Sequence, residues 1–246
     1  MRQQPSPDGG TELQGRLILV TGGGQRVGRT ICEELGRAGA RLIVHYHRSQ
    51  SDAEILARRL GRGSLALHAD LRNTGETVSM FQTIEAKVGR IDMLVNNAAI
   101  FCRTPFHALT DAAWDEQLAV NLTAPQRCMR LAVAAGATAI VNLVDIAAWQ
   151  PWSEYSAYAV AKAGLLHLTR ILARELAPTV RVNAVAPGTV LFPDDYDAAA
   201  KARVLARVPL NRQGQPADVA RAVRYLLSEG YLTGVCLPVD GGQGLR

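Results

Sequence analysis

The sequence predicts an α/β fold, with a central parallel sheet of about seven strands flanked by helices on both faces in a single doubly wound domain. Three observations carry that reading. Short β-rich runs alternate with longer segments of helical periodicity. Several of the short runs are almost wholly apolar, as strands buried on both faces should be. The first run passes straight into a glycine-rich turn followed by a helical pattern.

Taken in order, the strands are predicted at 16–21, 41–46, 65–69, 92–95, 139–144, 180–186 and 235–239. Helices are predicted between them, near 27–38, 52–60, 74–88, 112–134, 156–176 and 216–228. Residues 1–14 are polar and rich in Pro and Gly, and read as a loose tail; residues 15–246 read as one catalytic domain, uninterrupted by a repeat or linker. The least regular stretch, 187–212, is the expected substrate loop with a short helix inside it.

Composition excludes several classes of function. No apolar run reaches the roughly 20 residues that a spanning helix needs, and the N-terminus has no apolar segment like a signal peptide, so a cytoplasmic location is expected. Cys32, Cys102, Cys128 and Cys236 are too dispersed for a zinc site or a disulfide framework. The net charge of +5 is spread along the chain rather than clustered, which argues against nucleic acid. An anionic cofactor would account for part of it.

The run 16–21 leads into Gly22-Gly23-Gly24-Gln25-Arg26-Val27-Gly28. Glycines also suit any tight turn. In a strand–turn–helix context they let backbone N–H groups meet a pyrophosphate at a helix N-terminus, a Rossmann-type arrangement. The next strand ends His45-Tyr-His47-Arg48-Ser49, where a chain specific for NAD would place an acid against the ribose hydroxyls. A guanidinium and a hydroxyl suit a 2′-phosphate instead, so NADP(H) is the predicted cofactor. His45 and His47 point to one side of the strand, as adenosine contacts or as structural histidines; no third ligand makes them a metal pair.

Tyr158 and Lys162 lie four apart in a helical pattern and share a face. A phenol is a poor acid at neutral pH, and a nearby ammonium favours its phenolate. This pair follows the glycine turn and is preceded by Asn96-Asn97-Ala98-Ala99 at a strand end.

Together these features resemble the short-chain dehydrogenase/reductase family over residues 15–246. The resemblance implies that Gly22, Gly24, Gln25 and Val27 hold the cofactor, that Asp70-Leu71 meets its adenine, and that Asn97, Ala98 and Ala99 line it. It further implies that Asn121 orients Lys162 through water and that Pro187-Gly188 contacts the nicotinamide. Homotetramers built on the long helices are the usual assembly of the family.

Two departures are informative: Arg26 replaces the middle glycine of the turn, and Asp145 stands where a serine is usual, thirteen residues before the tyrosine. Both resemble the pteridine reductase branch. Phe101 then matches an aromatic that sandwiches a pterin against the nicotinamide, although ordinary packing explains it equally well; Arg26 spans cofactor and pterin or touches the cofactor alone. In that reading Asp145, Tyr158, Lys162 and Asn121 form the catalytic group, and Arg26, Phe101, Asp145, Tyr158 and Leu191 meet the substrate. Phe192, Asp194 and Asp195 are further pocket candidates, with Trp149 and Trp152 near its mouth. The expected reaction is hydride transfer from NADPH to a C=N bond of a dihydropterin or dihydrofolate. A carbonyl reductase of the same family and a non-catalytic NADP(H)-binding sensor are the alternatives.

Overall fold

The computed structural model describes residues 13–192 and 196–245. Its strands are β1 (Leu17–Val20), β2 (Arg41–Tyr46), β3 (Leu65–His68), β4 (Met93–Asn96), β5 (Ala139–Leu143), β6 (Arg181–Pro187) and β7 (Cys236–Val239). They pair, all parallel, in the order β3-β2-β1-β4-β5-β6-β7. Every strand lies where the sequence placed one.

The helices are α1 (Arg26–Arg37), α2 (Gln50–Leu60), α3 (Thr74–Lys87), α4 (Asp111–Leu118), α5 (Ala124–Ala134), α6 (Ser156–Glu175), α7 (Ala198–Leu205) and α8 (Pro216–Ser228). Alternation along the strands explains why the runs read as continuously apolar. Ile18 and Val20 enter the core shared with α1, α2 and α8, whereas Leu17 and Leu19 enter the one shared with α3, α5 and α6. Strand order reverses between β1 and β4, and the crevice beyond their C-terminal ends is where such folds take ligands.

Two expectations are corrected. The tail does not extend to residue 14: residues 1–12 lie outside the described residues, but Leu13 is already buried in the core and Gln14 packs against Gly39. The single helix expected at 112–134 is divided into α4 and α5 by a π-helical turn, Ala119–Thr123. Pro125 sits in the first turn of α5 and has no N–H to donate to the Asn121 carbonyl, so regular α-helical pairing fails there. Asn121 lies at the centre of the resulting bulge.

Candidate active site

The ends of β1, β2 and β4 are tied together by side chains. The Thr21 hydroxyl oxygen accepts from the N–H groups of Asn97 at 2.9 Å and Ala98 at 3.0 Å. The Asn97 amide donates to the carbonyls of Thr21 at 2.9 Å and Gly22 at 3.0 Å. Gly22, at φ +62°, donates its N–H to His45 Nδ1 at 2.9 Å, and His45 Nε2 lies 3.0 Å from the Ala69 carbonyl. This geometry requires the Nε2–H tautomer. Burial pushes the imidazole down to about 4, so it stays neutral. His45 is thus a wall and a brace of the turn, with both ring nitrogens committed; it has no polar atom left for adenosine.

A cleft of about 640 Å³ opens over this knot. Its lining includes Gly22, Gln25, Arg26, Val27 and Gly28 at the turn, His47, Arg48, Ser49, Asp70 and Leu71 toward β2 and β3, and Asn97, Ala98 and Ala99 beyond β4. Gly24 does not line it. That glycine lies behind the loop, where a Cβ would come 2.7 Å from Ser49 Oγ, so its role is to let Ser49 approach. A Cβ on Gly28 would collide with the Gly22 carbonyl. Gly28→Ala should therefore deform the turn and destabilise the fold by about 1–3 kcal/mol, the usual cost of overpacking, with a lowered Tm by calorimetry as the check.

The cleft suits a phosphorylated dinucleotide. Among the described residues, neither Arg26 nor Arg48 has an ion-pair partner, and both side chains are exposed at the cleft. The Ser49 side chain stands at the N-terminus of α2 without capping it. Arg26 holds φ +50°, the left-handed region that favours the glycine usual there.

The second half of the predicted site lies past β5. Asp145 heads the short 3₁₀ turn Ile146–Ala148, and its Oδ1 accepts the Ala147 N–H at 2.8 Å. The hydroxyl of buried Tyr158 donates to Asp145 Oδ2 at 3.0 Å. Lys162, one turn along α6 and also buried, donates to the Leu143 carbonyl at 2.8 Å, with its ammonium 5.7 Å from the centre of the Tyr158 ring.

The electrostatics correct an expectation. Burial pushes the Asp145 carboxyl up to about 6 and Lys162 down to about 8. Burial, and then the carboxylate beside it, push Tyr158 well above its usual value. The ammonium was expected to favour the phenolate, but here the nearer Asp145 opposes ionisation, so Tyr158 is a neutral hydroxyl poised to donate.

Asn121 is fully buried and does not reach Lys162 with its side chain. The amide clamps both backbone groups of Ile100, at 3.0 and 3.2 Å, and so steadies the segment leading to Phe101. Phe101 stacks on Tyr155, with centroids 4.5 Å apart and planes at 8°, and meets Tyr158 edge-on at 4.8 Å and Trp152 at 6.3 Å. It is packed and yet 43% exposed, so one ring serves both readings.

Pro187 ends β6, and the Gly188 N–H donates to the Val239 carbonyl at 3.1 Å; a Cβ there would come 2.7 Å from the Asp240 Cβ. Both residues lie at the C-terminal edge of the sheet beyond Asp145, outside the cleft lining. Leu191 and Phe192 do not line this nucleotide-sized cleft; Phe192 faces Tyr196 and the Lys201 ammonium. Asp194 and Asp195 lie outside the described residues. Trp152 joins the aromatic cluster, whereas Trp149 packs beside Gly244.

Sequence reasoning missed Arg72, Ile100, Cys102, Glu116 and Val120, which also line the cleft. Arg72 grips Asp70 through Nε at 3.0 Å and Nη2 at 2.7 Å and reaches Glu116 at 2.9 Å. That fork holds the Asp70 carboxyl down at about 2. Adjacency to Asp70-Leu71 was the available signal for Arg72, and the spacing of Glu116 and Val120, one helical turn apart, the signal for those two.

Comparison with known proteins agrees with this geometry. The family model described as "Enoyl-(Acyl carrier protein) reductase" matches residues 24–243. The 3-oxoacyl-[acyl-carrier-protein] reductase FabG of Aquifex aeolicus is 35% identical over 248 residues, covering 94% of this chain and 98% of the relative. Its Staphylococcus aureus counterpart is 32% identical over 240 residues, covering 93% and 98%. The crystal structure of FolM alternative dihydrofolate reductase 1 from Brucella canis, complexed with NADP, superposes with a TM-score of 0.89 at 32% identity and covers 96% of both chains. A nucleotide-sized cleft at the β1–β4 reversal, with Tyr158 and Lys162 beyond it and relatives of this kind along nearly the whole chain, has one reading: the protein belongs to the short-chain dehydrogenase/reductase family and is an oxidoreductase acting on a small molecule.

Proposed function

We propose that the protein is an NADPH-dependent reductase of a C=N bond in a pterin-type ring, a dihydropterin or dihydrofolate. The observation that carries this is Asp145 within 3.0 Å of the Tyr158 hydroxyl, in the position where a carbonyl reductase of the family has serine. A carboxylate turns lone pairs toward a carbonyl oxygen, which is unfavourable in a water-poor site. It accepts well from the ring N–H and amino groups of a pterin. The FolM structure, whose description names it an alternative dihydrofolate reductase, supports the reading at an identity comparable with that of the ketoacyl reductases.

The cofactor is NADP(H). Gly22, Gln25, Val27 and Arg26 would receive the pyrophosphate, and Arg48 and Ser49 the 2′-phosphate. When bound, NADPH supplies the hydride. Phe101 presents an aromatic face for a flat substrate to stack on. Tyr158 donates its hydroxyl proton to the ring nitrogen beside the carbon that receives the hydride. Asp145 holds the phenol in line and hands on a proton when it carries one. Lys162 stays charged near neutral pH, fixed by the Leu143 carbonyl, and offers its remaining N–H groups to the ribose. Asn121 acts one step back, by steadying Ile100. A homotetramer is the assembly we infer; α6 leaves Val160 and Ile171 half exposed on one face, as a helix-mediated contact between subunits requires.

Arg26 bridges cofactor phosphate and substrate in this scheme. Arg26→Gly should relieve the left-handed strain, stabilising the fold by about 1 kcal/mol, while weakening NADPH binding several-fold through loss of a charge-assisted hydrogen bond. A thermal melt and a fluorescence titration on the same variant test both arms.

A second reading, reduction of a 3-oxoacyl thioester, is favoured by the identities to the Aquifex and Staphylococcus enzymes. NADPH oxidation with dihydrobiopterin, dihydrofolate and an acetoacetyl thioester side by side separates the two. Turnover of the pterins supports the first reading, and turnover of the thioester alone replaces it with the second.

A further inference from the structure

Two loops far apart in sequence close over Tyr158. Beyond the Phe101–Tyr155 stack, Arg103 meets Glu154 through Nε at 2.8 Å and Nη2 at 2.6 Å, and the Thr104 N–H donates to the Glu154 carbonyl at 2.7 Å. Glu154 adopts φ +69°, the left-handed region that an acidic side chain seldom occupies. The Arg103 side chain is 64% exposed and that of Glu154 38%. An exposed ion pair contributes little net stability, so a guanidinium held this way can exchange its partner for a better anion.

The position is telling. A flat ring lying on Phe101 with its reducible bond at Tyr158 sends its substituent outward past Phe101, and Arg103 is two residues further along the same strap. Both substrate classes include members with an anion at that remote end: the carboxylates of a folate tail, or the phosphate of a phosphopantetheine arm. A guanidinium fork is suited to either.

We propose that Arg103 is a specificity-determining residue that binds the anionic tail of the substrate, with Glu154 as the resident anion that the tail displaces. The proposal rests on the reading of Phe101 and Tyr158 as walls of the substrate site, and selects tailed substrates over neutral ones within it. It adds an anion subsite without choosing between the pterin and the thioester chemistry.

The test is ligand binding to the NADP⁺-loaded protein, read by quenching of tryptophan fluorescence, for two matched pairs. Folate is compared with biopterin, and acetoacetyl-CoA with acetoacetyl-pantetheine, which lacks the phosphates. In one pair the anionic member should bind tighter. Arg103→Ala should raise the anionic-to-neutral Kd ratio about tenfold, Arg103→Lys should raise it less, and Glu154→Gln should lower it about threefold, as expected for one charge-assisted contact. Which pair responds identifies the source of the anion. A ratio unchanged in all three variants, both members weakening together, or no binding by either anionic ligand would overturn the proposal. Binding measures Arg103, whereas the NADPH-oxidation panel measures the reaction, so either can fail alone: equal Kd ratios in an enzyme that reduces pterins would sink the subsite and keep the reductase.

Discussion

Tyr158→Phe will lower kcat with a pterin substrate by about a thousandfold, within the range for losing a positioned proton donor. The fold should survive, because phenylalanine fills the same buried space on α6 and only the hydrogen bond to Asp145 Oδ2 is lost. NADPH affinity should change little, since the hydroxyl faces Asp145 rather than the glycine turn. Single-turnover NADPH oxidation, with cofactor binding measured in parallel, is the check. A variant that keeps kcat within tenfold of the parent would show that the proton comes from elsewhere, with Asp145 the next candidate.

Asp145→Ser should exchange one chemistry for another. The serine hydroxyl can donate to a carbonyl oxygen but cannot accept from two pterin N–H groups at once. Pterin turnover should fall about a hundredfold, in line with removing a group that acts in the proton transfer, while reduction of an acetoacetyl thioester appears or rises. Acidity supplies an independent readout. With the Asp145 carboxyl at about 6, the protonated form that can pass a proton on is depleted above that pH. kcat/KM for the pterin should therefore fall as pH rises through about 6, and Asp145→Asn should flatten that limb.

Stability carries the same sign. Folded Asp145 keeps its proton up to about 6, against 3.8 for an ordinary aspartate, so the folded state binds more protons over that interval and loses stability as pH rises through it. His45 acts oppositely: held down at about 4, it withdraws stability as pH falls from 6.5 toward 4. Only the difference between the parent and Asp145→Asn isolates the carboxyl. At neutral pH the variant should be the more stable by up to about 3 kcal/mol, the equivalent of the shift from 3.8 to about 6.

Patterns confined to neighbouring residues were legible from the start. Seven strands appeared as apolar runs because both faces of the sheet are covered, a property each run carries by itself. The glycine turn, the Arg48-Ser49 pair after β2 and the Tyr158/Lys162 spacing were likewise visible, since each depends on a few adjacent positions. Even the break at Asn121 had a local mark in Pro125, hidden only because a helix pattern of the right period continued through it.

What the sequence could not supply was which distant groups meet. His45 lines the nucleotide cleft, yet its ring also accepts the Gly22 N–H, a contact that exists only because strand order sets β2 against β1. The ammonium of Lys162 was expected to govern Tyr158, whereas folding buries the phenol and sets the Asp145 carboxyl against it, and both raise its pKa instead. The Arg72–Asp70–Glu116 fork and the Arg103–Glu154 pair likewise join segments that only the order of strands brings within 3 Å of one another. The sequence by itself determined the fold, the glycine turn and the Tyr158/Lys162 spacing on which the proposed catalytic pair rests, because periodicity and motif spacing are local. The protonation states and the shape of the substrate mouth were decided by tertiary structure, because burial and long-range contact set the energy of a charge.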